Sequence, residues 1–196
     1  MCWNQSVSLN TFLVGLFAVS LALYNKIITP LSGLGAMALI SMQLIEYFAW
    51  GNLENKEAIS LISKLGLGLI LVQPMISYLV CIENFTTHVI PLLYLCFLVL
   101  YFSVQTIDYS MHKAKNGHLS WNWLTTSPLL IFIWLAFLLT PLVYAKHYMI
   151  AGGLLATVLI SLYTYYTANT WGSMWCWIAN VYSLYLLGSV FMKDLC

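Results

Sequence analysis

Seven runs of about twenty predominantly apolar residues follow one another along the chain, and each is long enough to cross a bilayer. A helix rises about 1.5 Å per residue, so about 20 residues match a hydrocarbon core about 30 Å thick. The runs are Val7–Asn25, Leu31–Trp50, Ile59–Cys81, Val89–Ile107, Ser127–Tyr144, His147–Thr167 and Ser173–Met192. They leave no room for a separate soluble domain. The expected fold is all-α: one domain over residues 1–196, an integral membrane bundle of seven transmembrane helices joined by short loops.

Charge supports that solvent. Hydrophobic residues make up 62% of the chain and charged residues 7%, against roughly a quarter in an ordinary soluble domain. Seven lysines are scattered singly and arginine is absent, leaving no basic stripe to neutralise nucleic acid. The start Met1-Cys2-Trp3-Asn4-Gln5-Ser6 has no basic residue ahead of the first run, which is therefore expected to be a permanent helix and not a cleaved leader. Cys2, Cys81, Cys96, Cys176 and Cys196 show no zinc spacing.

Stop signals mark the joints. Asn25-Lys26 and Pro30 close the first, Asn52 to Glu57 the second, and Glu83-Asn84 with Pro91 the third. The fourth, Asp108 to Thr126, is the longest, and the last two are only a few residues each. Short joints make sequential helices antiparallel neighbours. An odd number of spans puts the termini on opposite faces. Lys56, Lys64, Lys113 and Lys115 fall toward the N-terminal face, and Lys26, Lys146 and Lys193 toward the other. Four against three is too even to fix orientation, but the longest joint carries the lysine pair and favours a cytosolic N-terminus. The sequons Asn4-Gln5-Ser6 and Asn84-Phe85-Thr86 lie on opposite faces, so at most one meets an oligosaccharyl transferase. No internal repeat supports paired-repeat alternating access.

Polar groups inside the spans single out candidate residues. On the second run, Ser32, Ala36, Gln43, Glu46, Tyr47 and Trp50 share an arc of roughly 100°, opposite Leu, Ile, Met and Phe. That arc is expected to face protein. A carboxylate in hydrocarbon costs several kcal/mol, so Glu46 is neutral, paired, or near water. Two accounts follow: an acid about a turn from the helix end that reaches headgroup water, or a proton- or cation-handling acid oriented by Gln43 and Tyr47.

The third run contains Gln73-Pro74. Proline lacks the N–H that the Ile70 carbonyl would accept, so a kink and an open acceptor are expected there, serving either packing or a binding site. Gly66, Gln73, Ser77 and Val80 share its polar face. At the end of the fourth run, Gln105, Asp108 and His112 fall at i,i+3 and i,i+4 on one stripe, either a solvated helix end or a proton relay. The sixth run carries Gly153, Thr157, Ser161, Thr164 and Ala168 as a close-packing strip. The seventh opens with three tryptophans, Trp171, Trp175 and Trp177, expected as an interfacial belt, and its polar face holds Ser173, Cys176 and Asn180. Polar groups therefore gather toward the N-terminal face.

Other chemistries lack their parts. The four histidines sit at edges or joints, so no in-span set holds zinc or haem, no Gly-x-Ser-x-Gly elbow appears, and Lys193 lies past the place of a retinal lysine. No cofactor is expected. The Met1-Cys2-Trp3 start, the Glu46 helix, Gln73-Pro74 and the closing Gly172-Ser173-Met174-Trp175-Cys176-Trp177 together resemble a poorly characterised family of small multi-pass proteins that begin Met-Cys-Trp, found in bacteria and large DNA viruses. Members often carry Ser where this chain has Asn4. The resemblance implies a shared fold and a shared site, but no reaction.

The sequence thus points to a bilayer-embedded protein, not an enzyme, that binds or transports a small polar solute, cation or proton through a cavity near the N-terminal face. Glu46, Gln43, Tyr47, Gln73, Asp108 and Asn180 are its expected lining, with the kink at Pro74. The alternative is a non-catalytic structural or interaction protein of a viral or organelle membrane. A third class is a membrane enzyme using Cys176 and Asp108. Solute and oligomeric state stay open.

Overall fold

The structure, a computed structural model, describes residues 4–81, 89–126, 128–178 and 180–193, with 125–126, 176–178 and 193 described by backbone alone. The Met1-Cys2-Trp3 start, the Asn84-Phe85-Thr86 sequon and Cys196 lie outside the described residues. In chain order the elements are α1 (Gln5–Tyr24), α2 (Pro30–Trp50), α3 (Lys56–Cys81) and α4 (Val89–Val104), then a hairpin of β1 (Met111–Lys113) and β2 (Leu119–Trp121). There follow α5 (Asn122–Thr126), α6 (Pro128–Tyr144), α7 (Tyr148–Tyr165), α8 (Trp171–Ile178) and α9 (Asn180–Lys193).

Five helical stretches are long and apolar enough to cross a membrane: Gln5–Tyr24, Pro30–Trp50, Lys56–Cys81, Tyr148–Ala168 and Trp171–Met192. The chain is a multi-pass membrane protein. Two further apolar helices, α4 and α6, are shorter at 16 and 17 residues. Protein covers only 17% to 39% of the residues in the best window of each long stretch, leaving side chains such as Phe17, Leu61 and Leu159 outward as a lipid-facing surface demands.

Local chemistry fixes the helix ends. Asn4 Oδ1 accepts from Val7 N at 2.9 Å, and Thr29 Oγ1 accepts from Ser32 N at 3.1 Å with Pro30 in the first turn, so both N-termini are capped. At the other ends, Lys26 and Lys146 take the left-handed conformation, with φ of 55° and 62°. The following amides reach back five residues, Ile27 N to Ala22 O and His147 N to Leu142 O, each at 2.8 Å. These are Schellman stops, with lysine at the position glycine usually takes.

The chain is all-helical apart from a small hairpin in the fourth joint, the longest: α4 ends at Val104, before the expected Ile107, and the chain turns at Gly117 (φ 83°) to pair Met111 with Trp121, His112 with Ser120 and Lys113 with Leu119. Asn116-Gly117 supplies the turn, and Leu119, Ser120 and Trp121 of β2 are all buried, as is Trp123 at the start of α5.

Helices α2, α3, α6, α7 and α8 pack each against the next and close a ring, while α1 packs on α2 and on α9. Two apolar cores result. The larger fills the ring with Met42, Ile70, Trp121, Trp123, Trp134, Trp171 and Trp175. The smaller joins Ala18, Val19 and Ala22 of α1 to Ala36 and Ile40 of α2 and Leu186 and Val190 of α9. Small residues allow that approach: a Cβ on Gly15 would lie 2.6 Å from Ile40 Cγ2. Within α4, Tyr94 alone is buried.

Candidate functional site

Helix α2 is turned as its wheel requires, with Ala36 nearly covered and Gln43 and Glu46 fully so, both at 0% exposure. Tyr47 is half-buried beside them, its ring edge-on to Phe48. The opposite side is also covered, because α1 packs on Ile40 and the tryptophan core on Met42, so α2 is enclosed on more than one arc.

Three close approaches fix the antiparallel register of α1 and α2: Gln5 on Gly51, Gly15 on Ile40 and Leu23 on Gly33. Interpolation puts Ser8 opposite residues 47–48, within about 3 Å of Glu46 along the axis. On α9, Ser183 stands one turn from Leu186 and Asn180 one turn further, both on the side of the smaller apolar core nearer the N-terminal face. Ser8 and Ser183 are at 0% exposure, and neither hydroxyl has a hydrogen-bond partner among the described residues. Asn180 is half-buried.

Gln73 belongs elsewhere. Buried at 3% exposure, it donates from Nε2 to Ala38 O at 3.2 Å. Ala38 precedes Glu46 by eight residues, about 12 Å along α2, so Gln73 and Glu46 occupy different levels.

The acceptor that Pro74 leaves open at Ile70 receives Trp134 Nε1 of α6 at 2.8 Å. The next carbonyl, Leu71, takes the Tyr94 hydroxyl at 3.0 Å. α6 has its own proline, Pro141, and three residues before it Leu138 O accepts Ser77 Oγ of α3 at 3.2 Å. The acceptor that Pro74 frees is thus satisfied by a donor from the neighbouring helix, which makes the Pro74 opening a packing joint.

Asp108 also stands apart. It lies beyond α4, exposed, and the expected helical stripe through Gln105, Asp108 and His112 does not form because 105–110 are not helical. Its carboxylate accepts from Asn122 Nδ2 at 2.7 Å and Ser110 N at 2.8 Å, and these bonds, with a smaller pull from His112, hold the carboxyl below its ordinary range. Asp108 closes the base of the hairpin.

Trp171 and Trp175 do not sit in an interfacial belt. Both are buried, at 5% and 2%, because the hairpin and α5 cover them from the N-terminal face. The side chains of Cys176 and Trp177 lie outside the described residues. Trp121 Nε1 donates to Ser173 Oγ at 2.9 Å, Trp123 Nε1 to Ser63 Oγ at 3.1 Å and Trp175 Nε1 to Thr157 Oγ1 at 3.1 Å. A cavity among these rings measures about 10 Å³, the lower bound for one water, and its walls are Met42, Ile70 and the indoles, so it stays dry. The sixth-run strip engages only in part: Ser161 Oγ donates to Trp171 O at 2.6 Å, but Gly153 faces open space.

Sequence reasoning missed Ser8, Ser63, Ser183 and the hairpin tryptophans. The period-two pattern Leu119, Trp121, Trp123 after Asn116-Gly117 was the available signal for the last of these. Among the described residues no group of three His, Cys, Asp or Glu side chains could hold a metal ion. Compared with protein-family models, curated proteins and solved structures, the chain matches none.

Proposed function

We propose that this membrane protein binds, and in reconstituted bilayers moves, a proton or small cation at Glu46, with Gln43 and Tyr47 beside it on α2. One observation carries the proposal: the carboxyl is fully buried in a helix that crosses the hydrocarbon, one helical turn from the N-terminal face. An acid in that place is stable as the neutral acid or with a matched positive charge, which makes it a site of exchange.

Seven crossings complete the proposed topology. At about 1.5 Å per residue, α4 and α6 reach about 24 and 26 Å, which a locally thinned bilayer accommodates. A cytosolic N-terminal face fits the lysines there, with Lys64 Nζ 5.2 Å from the Tyr109 ring centre and Lys113 Nζ 5.9 Å from that of Trp50.

The test is flux. Purified full-length chain in vesicles, driven by a pH or sodium gradient, should dissipate the gradient, and Glu46→Gln should stop it. Equal flux from both proteins removes the proposal. A structural or interaction role is the second reading, favoured by the small dry cavity and partnered indoles of the ring. It predicts no flux from either protein and a changed folding yield for Glu46→Gln.

A further inference from the structure

The joint between α1 and α2 borders a cleft of about 570 Å³, lined by Leu23, Lys26, Ile27, Ile28, Thr29 and Pro30. Ligand-sized clefts run from about 300 to 1,000 Å³, so a lipid headgroup and the start of its chains fit here. Its depth follows from its neighbours: α1 and α2 are both long and apolar enough to cross, which puts residues 25–29 at the membrane surface opposite the N-terminal face. Tyr24, the last residue of α1, is 85% exposed beside it, a usual place for an amphipathic ring among headgroups.

The lining divides by chemistry. Leu23, Ile27 and Ile28 are half-buried and pack on the smaller apolar core, giving the cleft an oily wall. Lys26 and Thr29 are exposed at its polar side. The Lys26 ammonium has no acid, ring or carbonyl partner among the described residues, whereas Lys64 and Lys113 lie over the Tyr109 and Trp50 rings. Every acid among the described residues, Glu46, Glu54, Glu57 and Asp108, lies toward the N-terminal face. The positive end of the α2 dipole, at Pro30, adds to the same field. Ending α1 does not itself call for lysine, since at φ 55° glycine fits without the penalty of a Cβ. What Lys26 adds is its charge.

We propose that this cleft holds one glycerophospholipid of the adjoining leaflet, its phosphate on Lys26 Nζ and its acyl chains along Leu23, Ile27 and Ile28. A positive mouth over an apolar wall matches a molecule with an anionic phosphate and hydrocarbon in fixed sequence, and the joint already lies where such molecules are packed. The lipid seals the edge of the smaller core where α1 turns into α2. This site is separate from Glu46.

Native mass spectrometry of the full-length chain in a phosphate-free, non-ionic detergent, titrated with phosphatidylglycerol, tests it. One lipid should be retained per chain ahead of any others, and its binding should raise the unfolding temperature. Lys26→Gln should weaken that binding about tenfold. Lys26→Gly should weaken it as much while the lipid-free unfolding temperature stays the same or rises, which separates the ammonium from the helix stop. Lys146→Gln removes the same charge from the same face and the same backbone conformation, φ 62°, and should leave binding unchanged. Diacylglycerol with identical chains should bind at least tenfold more weakly. Equal weakening by Lys146→Gln would mean diffuse surface charge and overturn the site. Diacylglycerol binding as tightly would overturn it by removing the phosphate, and inorganic phosphate displacing the lipid at equal concentration would overturn it by removing the apolar wall.

Discussion

Two faces of α2 use polar groups in opposite ways. Toward the ring, indole N–H groups of Trp121, Trp123 and Trp175 meet serine or threonine hydroxyls and Trp134 meets the carbonyl that Pro74 exposes, while Gln73 Oε1 and Trp50 Nε1 have no partner among the described residues. All four bonds are neutral, and they let Trp121, Trp123, Trp134 and Trp175 occupy the interior of the ring without stranded indole donors. Toward α1 and α9, the polar set includes Ser8 and Ser183, whose hydroxyls have no partners among the described residues. A hydrogen-bonded network holds structure, whereas a buried unmet hydroxyl carries a cost that the packing around it offsets.

That contrast breaks most sharply at the ring. Trp134→Ala removes a large buried side chain and the donor to Ile70 O together, and should cost about 3–5 kcal/mol of stability. Unfolding in detergent measures it, and a loss under 1 kcal/mol would mean the proline gap is filled from elsewhere. Next comes Gly66→Leu, where a Cβ would already sit 2.6 Å from Trp121 Cζ3. Overpacking there should cost about 1–3 kcal/mol and loosen the hairpin, seen as faster proteolysis between residues 105 and 126.

Gln73→Leu gives up one hydrogen bond to Ala38 O and should cost about 1 kcal/mol, read from unfolding in detergent, while leaving the flux that Glu46 carries unaltered. Altered flux would join the two levels that the hydrogen bond to Ala38 separates. The smallest effect belongs to Asp108, outside the spans. Its carboxyl is held below the ordinary value of about 3.9 by Asn122 and Ser110, so its contribution is complete above that pH and is lost as pH falls through the folded value. Acid titration of hairpin protection should show this dependence only below about pH 4, and Asp108→Asn should abolish it.

Much of this was legible in residue order. The wheel of α2 foretold that Gln43 and Glu46 face protein, since a buried acid narrows the orientations of its helix. Pro74 foretold an open carbonyl at Ile70. What answered that carbonyl was not legible, because Trp134 lies sixty positions further on and nothing local distinguishes it from a lipid-facing tryptophan. Asp108 misled for a related reason: its i,i+3 and i,i+4 spacing has meaning only on a helix, and α4 stops at Val104.

The sequence alone determined the solvent and the architecture's units, because runs of about twenty apolar residues have one economical home and the helix period assigns their faces. Tertiary structure decided which polar groups meet. Trp121, Trp171 and Trp175 became core because a hairpin folds over them, and Gln73 was parted from Glu46 by the register of α2 on α3. Period and composition act within a segment, whereas a hydrogen bond across helices depends on axial offset and rotation, and those are set by side chains packing between distant segments.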